Sequence, residues 1–229
     1  MAVILALDTS TKVCSIALHQ NGEEIGHQAY HLQKSHSSLL PIIINQLLEN
    51  VEMQKKDIEA VAISGGPGSY TGLRIGTSTA KGFCYGLQVP LLSFDSLDSM
   101  YEAVKNSVSK DTLVCPMIDA RRMEVYCNLR DAEGDRIWKS KPLILDENVF
   151  DDFADRQILL IGNGAEKCRD LFASKPNIQI NAKLYPNAFA VAELLESKFQ
   201  KGEFEDLAYF EPDYLKEFQT KAPKGKLSI

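Results

Sequence analysis

The residues best placed to do chemistry lie in the run Val61-Ala-Ile-Ser-Gly-Gly-Pro-Gly-Ser-Tyr-Thr-Gly-Leu-Arg-Ile-Gly76, where an apolar β-type segment feeds a glycine-rich turn that opens into a helix. Such a turn aims several backbone N–H groups outward. Gly65, Gly66 and Gly68 carry no side chain, so a ligand or another backbone can come close, and the helix behind them adds its positive end. The chemistry implied is anion binding. Neither common phosphate fingerprint fits: the Gly-Lys-Ser/Thr of a P-loop is missing, and Thr71 stands where a dinucleotide loop needs its third glycine. A plain strand-to-helix turn in an α/β protein also uses glycine, so the run alone does not establish nucleotide binding.

Other constellations carry less. All four histidines, His19, His27, His31 and His36, fall in the first 36 residues, which invites a metal reading. His27 and His31 share one face of a strand but stand about 13 Å apart, too far to share an ion. Ser69 lacks the Gly-x-Ser-x-Gly elbow and a histidine partner, and no His-Glu-x-x-His is present, which argues against a peptidase. Five cysteines (Cys14, Cys84, Cys115, Cys127, Cys168), widely spaced and mostly in apolar runs, read as buried thiols rather than disulfides or a zinc site. Asp8, beside the hydroxyls of Thr9 and Ser10, reads as a turn cap. In Asp119-Ala-Arg-Arg-Met-Glu124 opposite charges meet at a strand turn, so a local ion pair orienting the hairpin is favoured over an anion site at Arg121 or Arg122.

Charge and length narrow the classes. A net charge of −6 over 229 residues argues against this chain alone gripping RNA, whose backbone demands a basic footprint. The tail lysines Lys216, Lys221, Lys224 and Lys226 read as a solvated or disordered end. No apolar run approaches the ~20 residues of a membrane span. The chain enters Ala2-Val-Ile-Leu-Ala-Leu7 with no basic region or cleavage site before it, so a soluble cytoplasmic protein is expected.

The elements that must position these residues come twice. The first half reads as strands Val3 to Asp8, Val13 to Gln20 and Glu24 to His31, the last two joined by an Asn21-Gly22 hairpin turn. A helix Ser37 to Val51, a strand Ala60 to Ser64 and a helix Gly72 to about Leu87 follow. After a short helix between Asp95 and Lys105 the order restarts, with strands Leu113 to Asp119, Met123 to Arg130 and Ile137 to Ile144. Helix Asn148 to Ala154, strand Ile158 to Ile161 and helix Ala165 to Ala173 complete it, ahead of a last helix, Phe189 to Gln200. Both halves read β-β-β-α-β-α, which predicts two α/β lobes made by duplication, residues 1–108 and 109–229.

Two helices suggest a contact surface. Leu39, Leu40, Ile42, Ile43, Ile44, Leu47, Leu48 and Val51 exceed one apolar stripe, so the first helix is expected to bury two sides. In the second, Gly72, Gly76 and Ala80 recur every four residues as a smooth strip. An interface is therefore expected at Leu39, Leu40, Ile43, Leu47, Gly72, Gly76, Ala80 and Phe83. Packing of the two helices on each other within one chain is an equal reading.

The duplicated order is similar to that of the actin, sugar kinase and Hsp70 superfamily, in which nucleotide sits between two ribonuclease-H-like lobes. The segments Ile4-Leu-Ala-Leu-Asp-Thr-Ser10, His36-Ser-Ser-Leu-Leu-Pro41, Gly65 to Gly76, Ile118-Asp-Ala-Arg-Arg-Met-Glu-Val-Tyr126 and Pro212-Asp-Tyr-Leu-Lys216 resemble the bacterial TsaB (YeaZ) family over nearly the whole chain. The resemblance implies an actin-like ATPase fold and an accessory role in placing threonylcarbamoyl on the adenosine beside the anticodon of tRNAs reading codons that begin with adenine. Its implied partners are the catalytic paralogue TsaD and the small ATPase TsaE, with tRNA met through the complex and a homodimer when the chain is alone. Asp8, Thr9, Ser10, Gly65, Gly66, Gly68 and Thr71 would then be a vestigial nucleotide site. Active superfamily members follow this aspartate with a glycine-containing loop, whereas Thr9-Ser10-Thr11-Lys12 has none. The metal-binding His-x-x-x-His of TsaD is replaced by Asp95-Ser-Leu-Asp-Ser-Met100. No catalytic residue, metal or cofactor of its own is expected, ATP and magnesium being left to the assembled complex. The competing reading is an autonomous ATPase or phosphotransferase using Asp8 and the Gly65 to Gly72 loop; a glycoprotease-type peptidase or a chaperone-like binding module comes after it.

Overall fold

The structure, a computed structural model, describes residues 2–31 and 36–216. Among the described residues, ten strands form two five-stranded sheets of the same plan. In the first, β1 (Val3–Asp8), β2 (Val13–Gln20) and β3 (Glu23–His31) make an antiparallel meander, and β4 (Ala60–Gly66) and β5 (Leu91–Asp95) add in parallel on the other side of β1, giving the order β3-β2-β1-β4-β5. In the second, β6 (Thr112–Asp119), β7 (Glu124–Arg130), β8 (Arg136–Ile144), β9 (Gln157–Ile161) and β10 (Ile178–Asn181) repeat it as β8-β7-β6-β9-β10 with the same sense at every pairing. The expected α/β duplication is what the chain adopts.

Each repeat ends on a fifth strand beyond the expected β-β-β-α-β-α. The edge strand β10, Ile-Gln-Ile-Asn, is four residues with two apolar positions, too short to register as a pattern. The second lobe is also poorer in helix. Residues 148–154 hold only a 3₁₀ turn, Asp151–Phe153, and the segment expected as helix from Ala165 is a 3₁₀ stretch, Asn163–Lys167, running into the single turn α4 (Cys168–Leu171), labelled here after the longer α1 (His36–Asn50), α2 (Tyr70–Leu87) and α3 (Ser96–Glu102).

Strand β1 shows why its sequence is apolar at every position. Val3, Leu5 and Leu7 point to one side, into a core with Leu40, Ile43, Ile44 and Leu47 of α1 and Ala80 and Cys84 of α2. Ala2, Ile4 and Ala6 point to the other, where Ala188, Val191 and Leu195 lie. A strand covered on both faces loses the alternation of a half-exposed one. That second cover is supplied by α5 (Ala192–Lys201) and the residues before it, so the end of the chain returns from the second sheet to roof the first. In exchange α3, which follows the first sheet, lays Leu97, Met100 and Tyr101 on Val114, Ile118 and Ile161 of the second. Five buried thiols carry no disulfide, and among the described residues no three His, Cys, Asp or Glu side chains gather as a metal site. No described helix is long and apolar enough to cross a membrane.

Candidate functional site

Asp8 and Asp119 end the central strands β1 and β6 and make the same local turn: Asp8 Oδ1 accepts from the Ser10 amide at 2.9 Å, and Asp119 Oδ1 from the Arg121 amide at 2.6 Å. Their surroundings differ. Asp119 is exposed beside a cleft of ≈ 710 Å³ between the lobes, which Ser10, Gly68 and Thr71 also line. Asp8 is fully buried behind that wall. Its Oδ1 also accepts from Ser10 Oγ at 2.8 Å, while Oδ2 has no hydrogen-bond partner. Burial pushes the Asp8 carboxyl up to about 6, against the opposing pull of the Ser10 amide, the Ser10 hydroxyl and the Ser64 hydroxyl, which also shares a hydrogen bond with Ser96 Oγ at 2.6 Å. Cys14 is driven up to about 12 by its own burial and by the nearby Asp8 charge, so it is no thiolate nucleophile.

What seals Asp8 is the pair of segments that would have to part to admit a phosphate. The Ser69 amide donates to Ser10 O at 2.6 Å, and Thr9 Oγ1 donates to Gly72 O at 2.8 Å. Gly68 lies so close to Ser10 that an added Cβ would overlap its backbone, Gly72 crowds the Thr9 carbonyl in the same way, and a Cβ at Gly76 would meet Thr9 Oγ1 and Ile63 Cδ1. Gly72 and Gly76 of the smooth strip of α2 are therefore packed against Thr9 at the end of β1, within this chain.

Gly65 and Gly66 do receive another backbone at close range, and it belongs to this chain. Asp213 N donates to Gly65 O at 2.7 Å, and a Cβ on Gly66, whose φ is 112°, would stand 2.7 Å from Asp213 O. Residues 205–216 form a strap over the glycine turn. It begins where the Glu205 amide donates to Leu91 O at 2.8 Å and Glu205 Oε1 accepts from Ser93 Oγ at 2.5 Å. It passes Tyr214 against Tyr70, ring centroids 4.8 Å apart, and ends on the second lobe with Lys216 ion-paired to Glu124. Lys216, exposed as expected, is ion-paired to Glu124; Lys221, Lys224 and Lys226 lie outside the described residues.

Two further expectations change. No ion pair forms within the Asp119–Glu124 turn: Asp119 takes Lys167 at 2.7 Å and Glu124 takes Lys216, leaving Arg121 and Arg122 with no ion pair among the described residues. The expected interface residues are largely interior. Leu40, Ile43, Leu47 and Ala80 are 0–3% exposed in the lobe's own core, Gly72 and Gly76 are buried, and Leu39 and Phe83 are half-buried. The outward side of α1 and α2 carries Ile42, 54% exposed, and Tyr85, 82% exposed, with Gly82 and Gly86 open to solvent. His27 bonds Glu24 and lies tilted against Phe189, His31 meets Tyr185 edge-on, and His19 is held by Ala188 O, so these three histidines dock residues 185–189 onto the first sheet.

The lobes are also tied through α3. Asp98 pairs with Arg130 at 2.6 Å and with Arg136, and accepts from Asn128 Nδ2 at 3.0 Å; Asp95 Oδ2 accepts from Ser140 Oγ at 2.5 Å. The Asp95 carboxyl is pushed up to about 6, first by burial and then by the neighbouring Asp98 charge. Lys12, Tyr126 and Asn163, all cleft residues, lay outside the sequence reading of the site. For Lys12 the signal is the structural repeat, which brings the β1–β2 and β6–β7 turns to one cleft; Tyr126 lies within β7 and Asn163 follows β9.

Set beside known proteins, residues 26–224 match the family described as TsaD: tRNA N6-adenosine threonylcarbamoyltransferase. The tRNA threonylcarbamoyladenosine biosynthesis protein TsaB of Bacillus subtilis (strain 168) is 30% identical over 230 residues, 96% of each chain. The protein of that name from Escherichia coli (strain K12) is 28% identical over 223 residues, 93% of this chain and 94% of its own. Among solved structures, YeaZ from Pseudomonas aeruginosa superposes with a TM-score of 0.79 at 27% identity, over 94% of this chain and all of the other.

Proposed function

This chain belongs to the TsaB (YeaZ) family, and from that premise we propose that it takes part in tRNA threonylcarbamoyladenosine biosynthesis as a non-catalytic partner and activator of TsaD. One observation carries the non-catalytic part. The carboxylate that a nucleotide-hydrolysing relative would offer to metal and phosphate is here fully buried, held by Ser10, and shut behind two segments hydrogen-bonded to each other. Opening that seat would break the Ser69–Ser10 and Thr9–Gly72 bonds and leave their polar groups without partners. The chain thus organises an assembly in the cytoplasm; TsaE joins it, tRNA is met through it, and ATP with magnesium is used there.

The contact with TsaD is carried by the outward faces of α1 and α2. Open backbone at Gly82 and Gly86 beside Tyr85, with Ile42 exposed on α1, lets an apolar partner surface come close, and a large exposed aromatic is a common anchor of such contacts. Without TsaD the same face joins a second copy of this chain. The test is reconstituted threonylcarbamoyl transfer with TsaD, TsaE, tRNA and ATP, with and without this chain. Omission abolishes or strongly reduces transfer, and the chain alone releases no phosphate from ATP. Transfer undiminished by omission, or ATP turnover by the chain alone that Asp8→Ala abolishes, would refute the proposal.

A further inference from the structure

The strap over the glycine turn carries the most exposed large hydrophobic side chain among the described residues. Tyr209 is 84% exposed, and Tyr85 on α2 follows at 82%. Both adjoin one contact, in which Lys81 Nζ donates to Ala208 O at 3.1 Å: Tyr209 is the next residue of the strap, and Tyr85 stands one helical turn beyond Lys81. The same stripe of α2 carries Tyr70 and Arg74, which meet Tyr214 further along the strap, Arg74 Nε donating to the Tyr214 hydroxyl at 3.4 Å. The strap therefore runs beside the outward side of α2 for about three helical turns.

Tyr209 is held ready for a partner. The amides of Ala208 and Tyr209 both donate to Asp206 Oδ1, at 2.8 and 3.1 Å, and the Phe210 amide donates to Asp206 O at 2.8 Å. Leu207 and Phe210, on either side, pack against the core of the first lobe. The backbone of this turn is fixed while the ring stands in water, so covering the ring costs little further ordering. Asp206 and Glu211 are exposed next to it and have no ion pair among the described residues.

We infer that the partner contact of α2 extends onto the strap, with Tyr209 as its second anchor, and that the partner surface meeting it combines an apolar seat with cationic side chains. The inference rests on the α2 contact with TsaD proposed above and gives that contact a consequence. Asp213 of the strap is hydrogen-bonded to Gly65 of the first lobe, and Lys216 is ion-paired to Glu124 of the second. A partner that grips Tyr209 thus grips the segment joining the two lobes, and assembly holds that segment on the glycine turn.

Calorimetric titration of TsaD with the full chain and its variants, joined to hydrogen–deuterium exchange of the strap, tests this. Tyr209→Ala removes a solvent-facing ring, so it should leave the melting temperature within a few degrees and weaken the complex at least about tenfold. The affinity of the native pair should fall as salt is raised. The Asp213 amide should exchange more slowly in the complex than in the free chain, and Tyr209→Ala should reduce that protection at equal occupancy. Tyr85→Ala separates the two claims. If it weakens the complex and Tyr209→Ala does not, the α2 contact stands and its extension onto the strap is overturned; if neither does, the α2 contact falls as well. Exchange at Asp213 that binding leaves unchanged, or an affinity indifferent to salt, also overturns the inference.

Discussion

Replacing Asp8 with asparagine tests whether this carboxylate is walled in or in use. The native state raises the Asp8 carboxyl from 3.8 to about 6, so between those values it holds a proton that the unfolded chain has released. This group's contribution to stability is therefore fully present below pH 3.8 and falls as pH rises through about 6. The shift is worth about 3 kcal/mol at neutral pH. Asparagine keeps the acceptor for the Ser10 amide and hydroxyl and removes the charge, at a cost of roughly 1 kcal/mol for an Nδ2 group in place of the unpartnered Oδ2. Asp8→Asn is thus expected to stabilise the protein by about 2 kcal/mol at pH 7.5 and to lose that advantage by pH 4. Urea unfolding of both proteins at half-unit steps from pH 4 to 8 measures it. An advantage independent of pH, or a less stable variant at pH 7.5, refutes the burial reasoning. A variant that also loses threonylcarbamoyl transfer would mean the carboxylate has chemical work to do.

Asp98→Ala leaves Arg130 and Arg136 without their shared carboxylate at the lobe junction and should cost about 3 kcal/mol, read from the denaturation midpoint at constant slope. Ile43→Ala opens a cavity under α1 and should cost about 2–4 kcal/mol of stability while leaving assembly of the folded fraction with TsaD intact, as light scattering would show. Leu47→Glu would likewise unfold the lobe, because Leu47 is 3% exposed in the core. Gly82→Arg and Tyr85→Ala change solvent-facing positions, so both should leave the melting temperature within a few degrees while weakening the complex with TsaD and the transfer it supports. Weakening below about tenfold for both would place the contact elsewhere.

Local pattern carried most of the architecture. The Asn21-Gly22 turn, with φ of 57° and 80°, set the first hairpin, the apolar run of β1 announced a strand buried on both faces, and the repeated strand order announced two like lobes. These are near-neighbour properties, fixed by backbone sterics and by where successive side chains must point. The motif segments were enough to place the chain beside its family. What a glycine or a leucine faces is a different kind of fact, because it depends on residues far away in the chain. Only the fold brought Asp213 onto Gly66, Thr9 onto Gly72 and Gly76, and Ala188 onto the first sheet. It also turned Leu40, Ile43 and Leu47 inward and left Tyr85 outside. Likewise the two turns after β1 and β6 have unlike sequences, and nothing local says that both line one cleft. Period and composition report how much of an element is buried, whereas long-range packing decides against what.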